Sequence, residues 1–218
     1  MIFSLPFHLP RYLRPSVLEG FNLTNSDLGD IFAVYGVTAM LAYFPGGLIA
    51  DKFNPKILII ISLVATAIGG IYLATFPGVV GLAILYAYWG ITTIFLFWAG
   101  LMKSTREWGG DEAQGRAFGF LEGGRGLAAA IFASIAVWLF AQGIPTLELI
   151  NQEDRRQALS SVIFLYTGLT FLAAISVAIW LPNNEKKDTY KPLKTSVLKM
   201  LLRLEIWLIA VVITCAYC

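Results

Sequence analysis

Five long apolar runs constrain this chain more than any other feature of its sequence. They cover residues 31–50, 57–76, 79–102, 117–141 and 161–181, and four of the five contain no charged residue. A helix of about 20 residues crosses the hydrocarbon core of a membrane. Because the backbone must satisfy its own hydrogen bonds there, runs of this length become helices. The pattern predicts an all-α, polytopic membrane protein with five full transmembrane helices.

The composition agrees with a membrane protein and argues against other classes. Hydrophobic residues make up 57% of the 218 residues and charged residues only 14%, whereas soluble domains carry about 25% charged residues. The formal net charge of +2 gives no support for nucleic-acid binding. We therefore expect contacts with membrane lipid and none with nucleic acid.

The two ends of the chain differ from these runs. Residues 1–28 begin with a short apolar stretch that prolines interrupt, and we interpret them as the remnant of an earlier helix and an extracytoplasmic loop. The run at 31–50 would then face lipid or a gap. Residues 200–218 predict a truncated sixth helix, and the C-x-x-C spacing of Cys215 and Cys218 is interpreted as coincidence, because no second Cys or His pair accompanies it.

Basic residues divide unevenly between the two sides of the predicted membrane. Eleven of the sixteen follow the first, third or fifth run, and six of these lie in or just after the loop at 183–199. Four lie on the other side: Arg11, Arg14, Arg155 and Arg156. Because the side richer in Lys and Arg is normally cytoplasmic, the 183–199 loop is predicted to be cytoplasmic. We expect a plasma membrane or bacterial inner membrane location.

The turn between the first two runs carries the clearest motif, GGLIADKFNPK. Gly47 lies one helical turn before Asp51, where a small residue lets a neighbouring helix approach. Asp51, Lys52 and Lys56 then place charges of both signs in a short turn, with Asn54 and Pro55 as its natural break. Such a turn is typical of a latch that opens and closes between helices.

This turn resembles the loop signature G-x-x-x-D-[RK]-x-G-x-[RK] of the major facilitator superfamily. Gly47, Asp51, Lys52 and Lys56 occupy matching positions, whereas Asn54 replaces the usual glycine. The stretch DEAQGRAFG, which includes Gly115 and Arg116, is similar to the family pattern E-x-x-G-R-x-x-G before its fifth helix. We interpret these residues as conformational motifs.

The resemblance implies the organisation of the chain. Residues 29–182 would be the transmembrane bundle of the first half of a 12-helix protein, holding family helices two to six. Residues 183–199 would be the cytoplasmic link between halves, and residues 200–218 the start of helix seven. Most of helix one and of the second half would be absent, so the chain would be a fragment of the family fold.

The resemblance also implies a central cavity, lined in this half mainly by family helices one, two, four and five. On the run at 79–102, Trp89, Thr93 and Lys103 recur at helical spacing on one face with Tyr86, Leu96 and Gly100. Such a face predicts a polar path for a solute. The alternative is that its aromatic residues are ordinary membrane-helix residues.

The stretch GRAFGFLEGGRG places two charges inside a membrane run. Glu122 and Arg125 are three residues apart and are expected to pair. Intramembrane charges are costly and mostly face cavities or partners. Arg125 is thus a candidate for binding an anionic solute, with Glu122 as its resting partner or a proton-coupling carboxylate. The alternatives are a structural ion pair and a snorkelling side chain.

Glycines recur through the same stretch. Gly115, Gly119 and Gly123 repeat at four-residue intervals, a spacing that predicts a ridge for close helix packing. A nucleotide-binding glycine loop would need a preceding strand, and these glycines enter a membrane run instead.

The leading functional interpretation is a secondary transporter that moves a small polar solute by alternating access. An organic anion, a sugar acid or a sugar phosphate is favoured, coupled to protons. The alternative is a truncated fragment that does not transport, or that serves as an interaction partner. An enzyme, a cofactor and a metal site are not expected, because the single histidine, His8, lies in the N-terminal stretch and no catalytic or metal-ligating motif occurs.

Overall fold

A computed structural model describes residues 2–110, 112–144 and 151–182, together with five helical positions near the C-terminus: Leu204, Trp207, Leu208, Val211 and Val212. Contacts divide the chain into two units, Met1–Asn184 and Glu185–Cys218. In the second unit the described side chains are exposed. The predicted loop at 183–199 and both cysteines lie outside the described residues.

The predicted membrane runs all lie in helices. The long helices are α3 (Asn25–Lys52), α4 (Pro55–Leu73), α5 (Val79–Gly90), α6 (Ala99–Gly109), α7 (Gln114–Gln142) and α8 (Gln152–Trp180). A π-helical segment, Ile91–Trp98, joins α5 to α6, so that Val79–Gly109 forms one helix. No strand occurs among the described residues.

Four of these helices are long and apolar enough to cross a membrane: Pro55–Leu73, Val79–Gly109, Gln114–Gln142 and Gln152–Trp180. Helix α3, with 28 residues, coincides with the first predicted run. The prediction of an all-α polytopic membrane protein is confirmed.

The ends of the helices follow from local side-chain chemistry. At the start of α3, the Thr24 hydroxyl accepts from the Asp27 N–H at 3.1 Å, and the Asp27 carboxylate accepts from the Thr24 N–H at 2.8 Å. This reciprocal pair is a capping box. At the start of α4, the Asn54 side chain accepts from the Lys56 N–H at 2.9 Å. Since Pro55 takes the first helical position, where no N–H is needed, the turn between α3 and α4 is tight.

The N-terminal stretch folds as a helical segment made of a π-helical turn (Ser4–His8), α1 (Leu9–Tyr12) and α2 (Arg14–Phe21). Five of its buried apolar residues follow four-residue steps: Leu5, Leu9, Leu13, Val17 and Phe21. Pro10 and Pro15 each lie in the first turn of a new helix, where a proline is tolerated. The prolines therefore divide this segment without ending its helical course.

This segment covers part of α3. The Phe7 ring packs edge-on against the ring of Tyr35 at 4.7 Å and stacks on Phe32 at 5.8 Å. The expectation that this span faces lipid or a gap is therefore wrong for this part of α3, because the apolar face of residues 4–21 has a core to join.

The remaining helices pack unevenly. In the most apolar 18-residue stretch of each helix, 50% of α4 is buried but only 17% of α7. Helix α7 thus contacts the bundle along one side and leaves an open face, and the candidate site lies beside it.

Candidate functional site

A cleft of about 750 Å³ opens between the N-terminal segment, the Val79–Gly109 helix and α7. The N-terminal segment contributes polar side chains to one wall: Ser4, His8, Arg11 and Tyr12. Helix α7 contributes Glu122 and Arg125 to a second wall. The Val79–Gly109 helix contributes Phe97, Trp98 and Leu101. The volume falls within the range of small-molecule sites. We call this space the central cleft.

Glu122 and Arg125 form an ion pair across one turn of α7, as their spacing predicts. Their side chains are 44% and 43% exposed, respectively, so the pair faces open space and is not buried against another described helix. Both groups can therefore meet a solute in the central cleft without a large rearrangement.

The predicted glycine ridge on α7 has no partner within the described part of the chain. A Cβ atom at Gly115, Gly119 or Gly123 would meet no atom within 4 Å. Any helix that packs on this ridge lies outside the described residues, and the packing role stays a prediction. Arg116, beside Gly115, is exposed at the start of α7.

Trp89 and Thr93, predicted to face a solute path, lie instead in the protein core with no exposed surface. The Trp89 indole donates to the Thr66 carbonyl at 3.2 Å. The Thr93 hydroxyl bonds to the Tyr35 hydroxyl at 2.7 Å and donates to the Trp89 carbonyl at 2.6 Å. Neither residue lines the central cleft.

The physical reason is that α4 and α3 pack over this face and supply Thr66 and Tyr35 to its hydrogen bonds. The π-helical segment between α5 and α6 has a wider turn than the ordinary 3.6 residues, so this face does not continue to Lys103 beyond it. The Ser62 hydroxyl, on α4, donates to the Thr92 carbonyl within this segment at 2.6 Å. Phe97 and Trp98, at the end of the segment, reach the central cleft instead.

Lys103 also lies away from the central cleft, contrary to its predicted role. Its ammonium group donates to the Ala50 carbonyl at 3.0 Å, near the C-terminal end of α3. A cation there satisfies an unpaired helix carbonyl and complements the helix dipole. Lys103 thus binds to the segment that carries the latch motif.

The close approach predicted at Gly47 occurs at its neighbour. A Cβ atom at Gly46 would lie 3.1 Å from the Phe95 carbonyl oxygen and 3.2 Å from its Cα, whereas one at Gly47 would meet nothing within 4 Å. Consecutive helical residues point in different directions, which explains the correction. Lys52 is exposed and the side chain of Asp51 lies outside the described part, so the latch role of this motif stays a prediction.

Sequence reasoning missed the contribution of the N-terminal segment to the central cleft. The charge pattern predicts Arg11 to be an outer loop charge, but it lies on α1 and lines the central cleft with His8. The signal was present: Ser4, His8 and Tyr12 repeat at four-residue intervals beside the apolar repeat that begins at Leu5. When Arg11 is left out of the outer-side count, the side with the 183–199 loop still carries more basic residues than the other side.

A second cleft, of about 520 Å³, lies between α4, α6, α7 and α8. Its wall is mostly apolar, and it does not contain the Glu122–Arg125 pair. Among the described residues, no group of three or more His, Cys, Asp or Glu side chains is placed to hold a metal ion. The central cleft is therefore the candidate site.

Comparison with known proteins places the chain among membrane proteins. The family model described as Major Facilitator Superfamily matches residues 4–218. The inner membrane protein YihN of Escherichia coli is 30% identical over 219 residues, covering 96% of this chain and 49% of the relative. The inner membrane protein YqcE of the same organism is 27% identical over 190 residues, covering 83% of this chain and 43% of the relative.

A third relative is an uncharacterized MG294 homolog of Mycoplasma pneumoniae, 21% identical over 211 residues, which covers 89% of this chain and 43% of the relative. The chain thus spans less than half the length of these curated relatives. No solved structure matches it.

Proposed function

The chain belongs to the major facilitator superfamily, and we propose that the protein is a secondary active transporter that moves a small polar solute by alternating access. The inner-membrane names of YihN and YqcE support a bacterial inner membrane as its location. The central cleft is the proposed solute path in this half of the fold. It opens between three helical walls, and two of these walls contribute charged side chains to it.

The Glu122–Arg125 ion pair is the observation that carries this proposal. Arg125 presents a guanidinium group to the central cleft, and a guanidinium binds carboxylate or phosphate oxygens with two parallel hydrogen bonds. An organic anion, such as a sugar acid or a sugar phosphate, is therefore the favoured solute.

Glu122 supplies the proposed coupling to protons. An anion that binds the Arg125 guanidinium displaces the Glu122 carboxylate from Arg125. Glu122 is then left with a charge that no neighbouring cation on its helix balances, and a bound proton removes that charge. Exchange between the solute and Glu122 would in this way link anion binding to proton binding.

The latch motifs supply the proposed gate. The tight turn after Lys52 and the start of α7 at Gly115 and Arg116 belong to the segments that resemble family loop patterns. Lys103 connects the Val79–Gly109 helix to the end of α3. A change in these polar contacts would let the helices separate at this end as the cleft changes its access.

Transport in the full-length protein tests the proposal. Reconstituted vesicles are assayed for uptake of a labelled sugar acid, a sugar phosphate and a dicarboxylate, with Arg125→Ala compared with wild type. We expect a rise in apparent KM of about tenfold or more for the transported anion, from the loss of a charge-assisted contact. Arg155→Ala, which removes a guanidinium that pairs with Glu19 outside the cleft, is the control. Unchanged apparent affinity for every transported anion in Arg125→Ala would overturn the binding role.

A further inference from the structure

Arg11 is the second guanidinium of the central cleft and comes from the N-terminal segment, whereas Arg125 comes from α7. It lies on α1 between Leu9 and Leu13, which are 3% and 7% exposed. These buried leucines fix the helix while Arg11 itself remains exposed to the cleft. The backbone beneath Arg11 is thus held by the core, and its side chain is free to turn toward a solute.

The neighbouring Arg14, three residues away, is already engaged elsewhere. Its guanidinium donates to the Asn25 side-chain oxygen at 2.8 and 3.2 Å, and it does not line the central cleft. Two arginines on one helical segment therefore have separate environments. This contrast provides an internal control for Arg11.

No carboxylate balances Arg11 within the described residues. The ion pairs there join Arg125 to Glu122 and Arg155 to Glu19, and Arg11 belongs to neither. With Glu122 ionised, these three ionised cleft groups, Arg11, Arg125 and Glu122, sum to one positive charge. With Glu122 protonated they sum to two. Clefts lined by one sign of charge concentrate ligands of the opposite sign.

The wall around Arg125 leaves room for such a ligand. Gly124 and Gly126 flank Arg125 and line the central cleft, and a Cβ atom at either would meet no atom within 4 Å. A ligand can therefore approach the α7 backbone closely while contacting the guanidinium.

We propose that Arg11 is a second anion-binding residue and that Arg11 and Arg125 together bind one solute carrying two negative charges. This inference rests on the proposed transport function and specifies its substrate class. Two guanidinium groups from two helical segments that line one cleft match a phosphate monoester, whose several oxygens can accept from both, or a dicarboxylate, with one carboxylate for each arginine. Two negative charges are balanced when Glu122 holds the coupled proton.

Calorimetric titration of the purified full-length protein at pH 7.5 tests this inference. The probes are glycerol phosphate, succinate and, as the singly charged reference, acetate. We expect wild type to bind at least one of the two doubly charged probes about tenfold more tightly than acetate, from one additional charge-assisted contact. Tighter binding of glycerol phosphate would identify a phosphate monoester as the solute class, and tighter binding of succinate would identify a dicarboxylate.

The variants assign the effect to Arg11. Arg11→Gln is expected to weaken binding of the preferred probe about tenfold and to remove its advantage over acetate, whereas Arg14→Gln is expected to leave binding within about twofold. Arg11→Lys keeps the charge but not the forked donor geometry, so a severalfold loss of affinity for the preferred probe is expected. It serves as the decisive variant if Arg11→Gln does not give a monodisperse protein.

The results separate the two proposals. If Arg125→Ala impairs anion transport but Arg11→Gln and Arg11→Lys keep the wild-type preference, the role of Arg11 is overturned and the transporter proposal stands. Equal binding of acetate and both doubly charged probes by wild type also overturns the two-charge inference. If wild type binds no anion and transports only neutral solutes, the anionic substrate and the role of Arg11 both fail.

Discussion

The Tyr86 hydroxyl donates a hydrogen bond of 2.9 Å to the Pro6 carbonyl, 80 residues away in the chain. Pro6 is buried in the π-helical turn Ser4–His8, and Pro10, four residues later, has no N–H to donate to it. Tyr86 thus gives this carbonyl a side-chain donor. This bond ties the N-terminal segment to α5 and helps to place His8 and Arg11 in the central cleft.

Tyr86→Phe is expected to destabilise the protein by about 1–3 kcal/mol, because it leaves a buried carbonyl short of a donor. The measurement is thermal unfolding of the purified protein in detergent. Tyr88→Phe is the matched control: its hydroxyl donates to the Ala65 carbonyl at 2.8 Å from a site that is 37% exposed, so a smaller loss is expected. Equal melting temperatures for Tyr86→Phe and wild type would contradict the structural role of this bond.

Alanine substitutions at the paired glycines of α3 are expected to differ. Gly46→Ala places a Cβ against the Phe95 backbone at 3.1–3.2 Å, and overpacking against a backbone costs about 1–3 kcal/mol. Gly47→Ala meets open space and is expected to be neutral or slightly stabilising.

The two glycine variants are compared by thermal unfolding and by transport. A transport defect in Gly47→Ala at unchanged stability would support a role for this position in conformational change. A larger loss of stability at Gly47 than at Gly46 would show that the close approach is assigned to the wrong residue.

The capping box of α3 predicts a pH dependence of stability. Hydrogen bonds from the Thr24 side chain and backbone lower the pKa of Asp27 below its usual value of 3.8. Since the pKa is lower in the folded state, this contribution is present above the unfolded-state pKa and is lost as the pH falls through the folded-state pKa.

Asp27→Asn is therefore expected to lower the melting temperature at pH 7, and its gap to wild type is expected to begin closing only as the pH falls below about 4. Melting temperatures measured from pH 3 to pH 7 provide the test. Asp30→Asn, one turn later on the same exposed end of α3, controls for removal of a charge. A gap between Asp27→Asn and wild type that persists unchanged at pH 3 would count against the capping box as its source.

Two consecutive arginines at the start of α8 are expected to contribute unequally. Arg156 donates to the Gly20 carbonyl at 2.8 Å and lies 5.3 Å from the centre of the Phe76 ring, whereas Arg155, whose side chain is 17% exposed, pairs with Glu19, whose side chain is 59% exposed. Because solvent reaches the Glu19 carboxylate and screens this pair, it is expected to contribute about 0–1 kcal/mol, whereas a hydrogen bond from a charged group contributes about 1.5–3 kcal/mol. Arg156→Ala should thus lower the melting temperature more than Arg155→Ala, and the reverse order would refute this ranking.

Glu122→Gln separates solute binding from proton coupling. Glutamine has nearly the same size but does not take up a proton in the working pH range. We expect exchange of labelled for unlabelled solute to persist, while uptake driven by a pH gradient is lost. Glu19→Gln, at the other described ion pair, should leave both activities intact. Gradient-driven uptake by Glu122→Gln at the wild-type rate would exclude Glu122 as the coupling group.

The pairing of Glu122 with Arg125 and the positions of the membrane helices could be predicted from the sequence, because both depend on local periodicity. Side chains three residues apart on a helix are neighbours whatever surrounds them. A long uncharged run has few alternatives to a helix in a membrane. The same holds for the break at Asn54 and Pro55, where cap chemistry ends one helix and begins the next.

The environment of each helix face was decided by the tertiary structure alone. Trp89 and Thr93 lie in the core because α4 and α3 pack against them and supply Thr66 and Tyr35 as hydrogen-bond partners. Arg11 lines the central cleft from a helical segment that a hydrogen bond from Tyr86, 80 residues distant in the chain, ties to α5. Periodicity determines which residues share a face, but which face meets a neighbour, a cleft or lipid depends on contacts between distant parts of the chain.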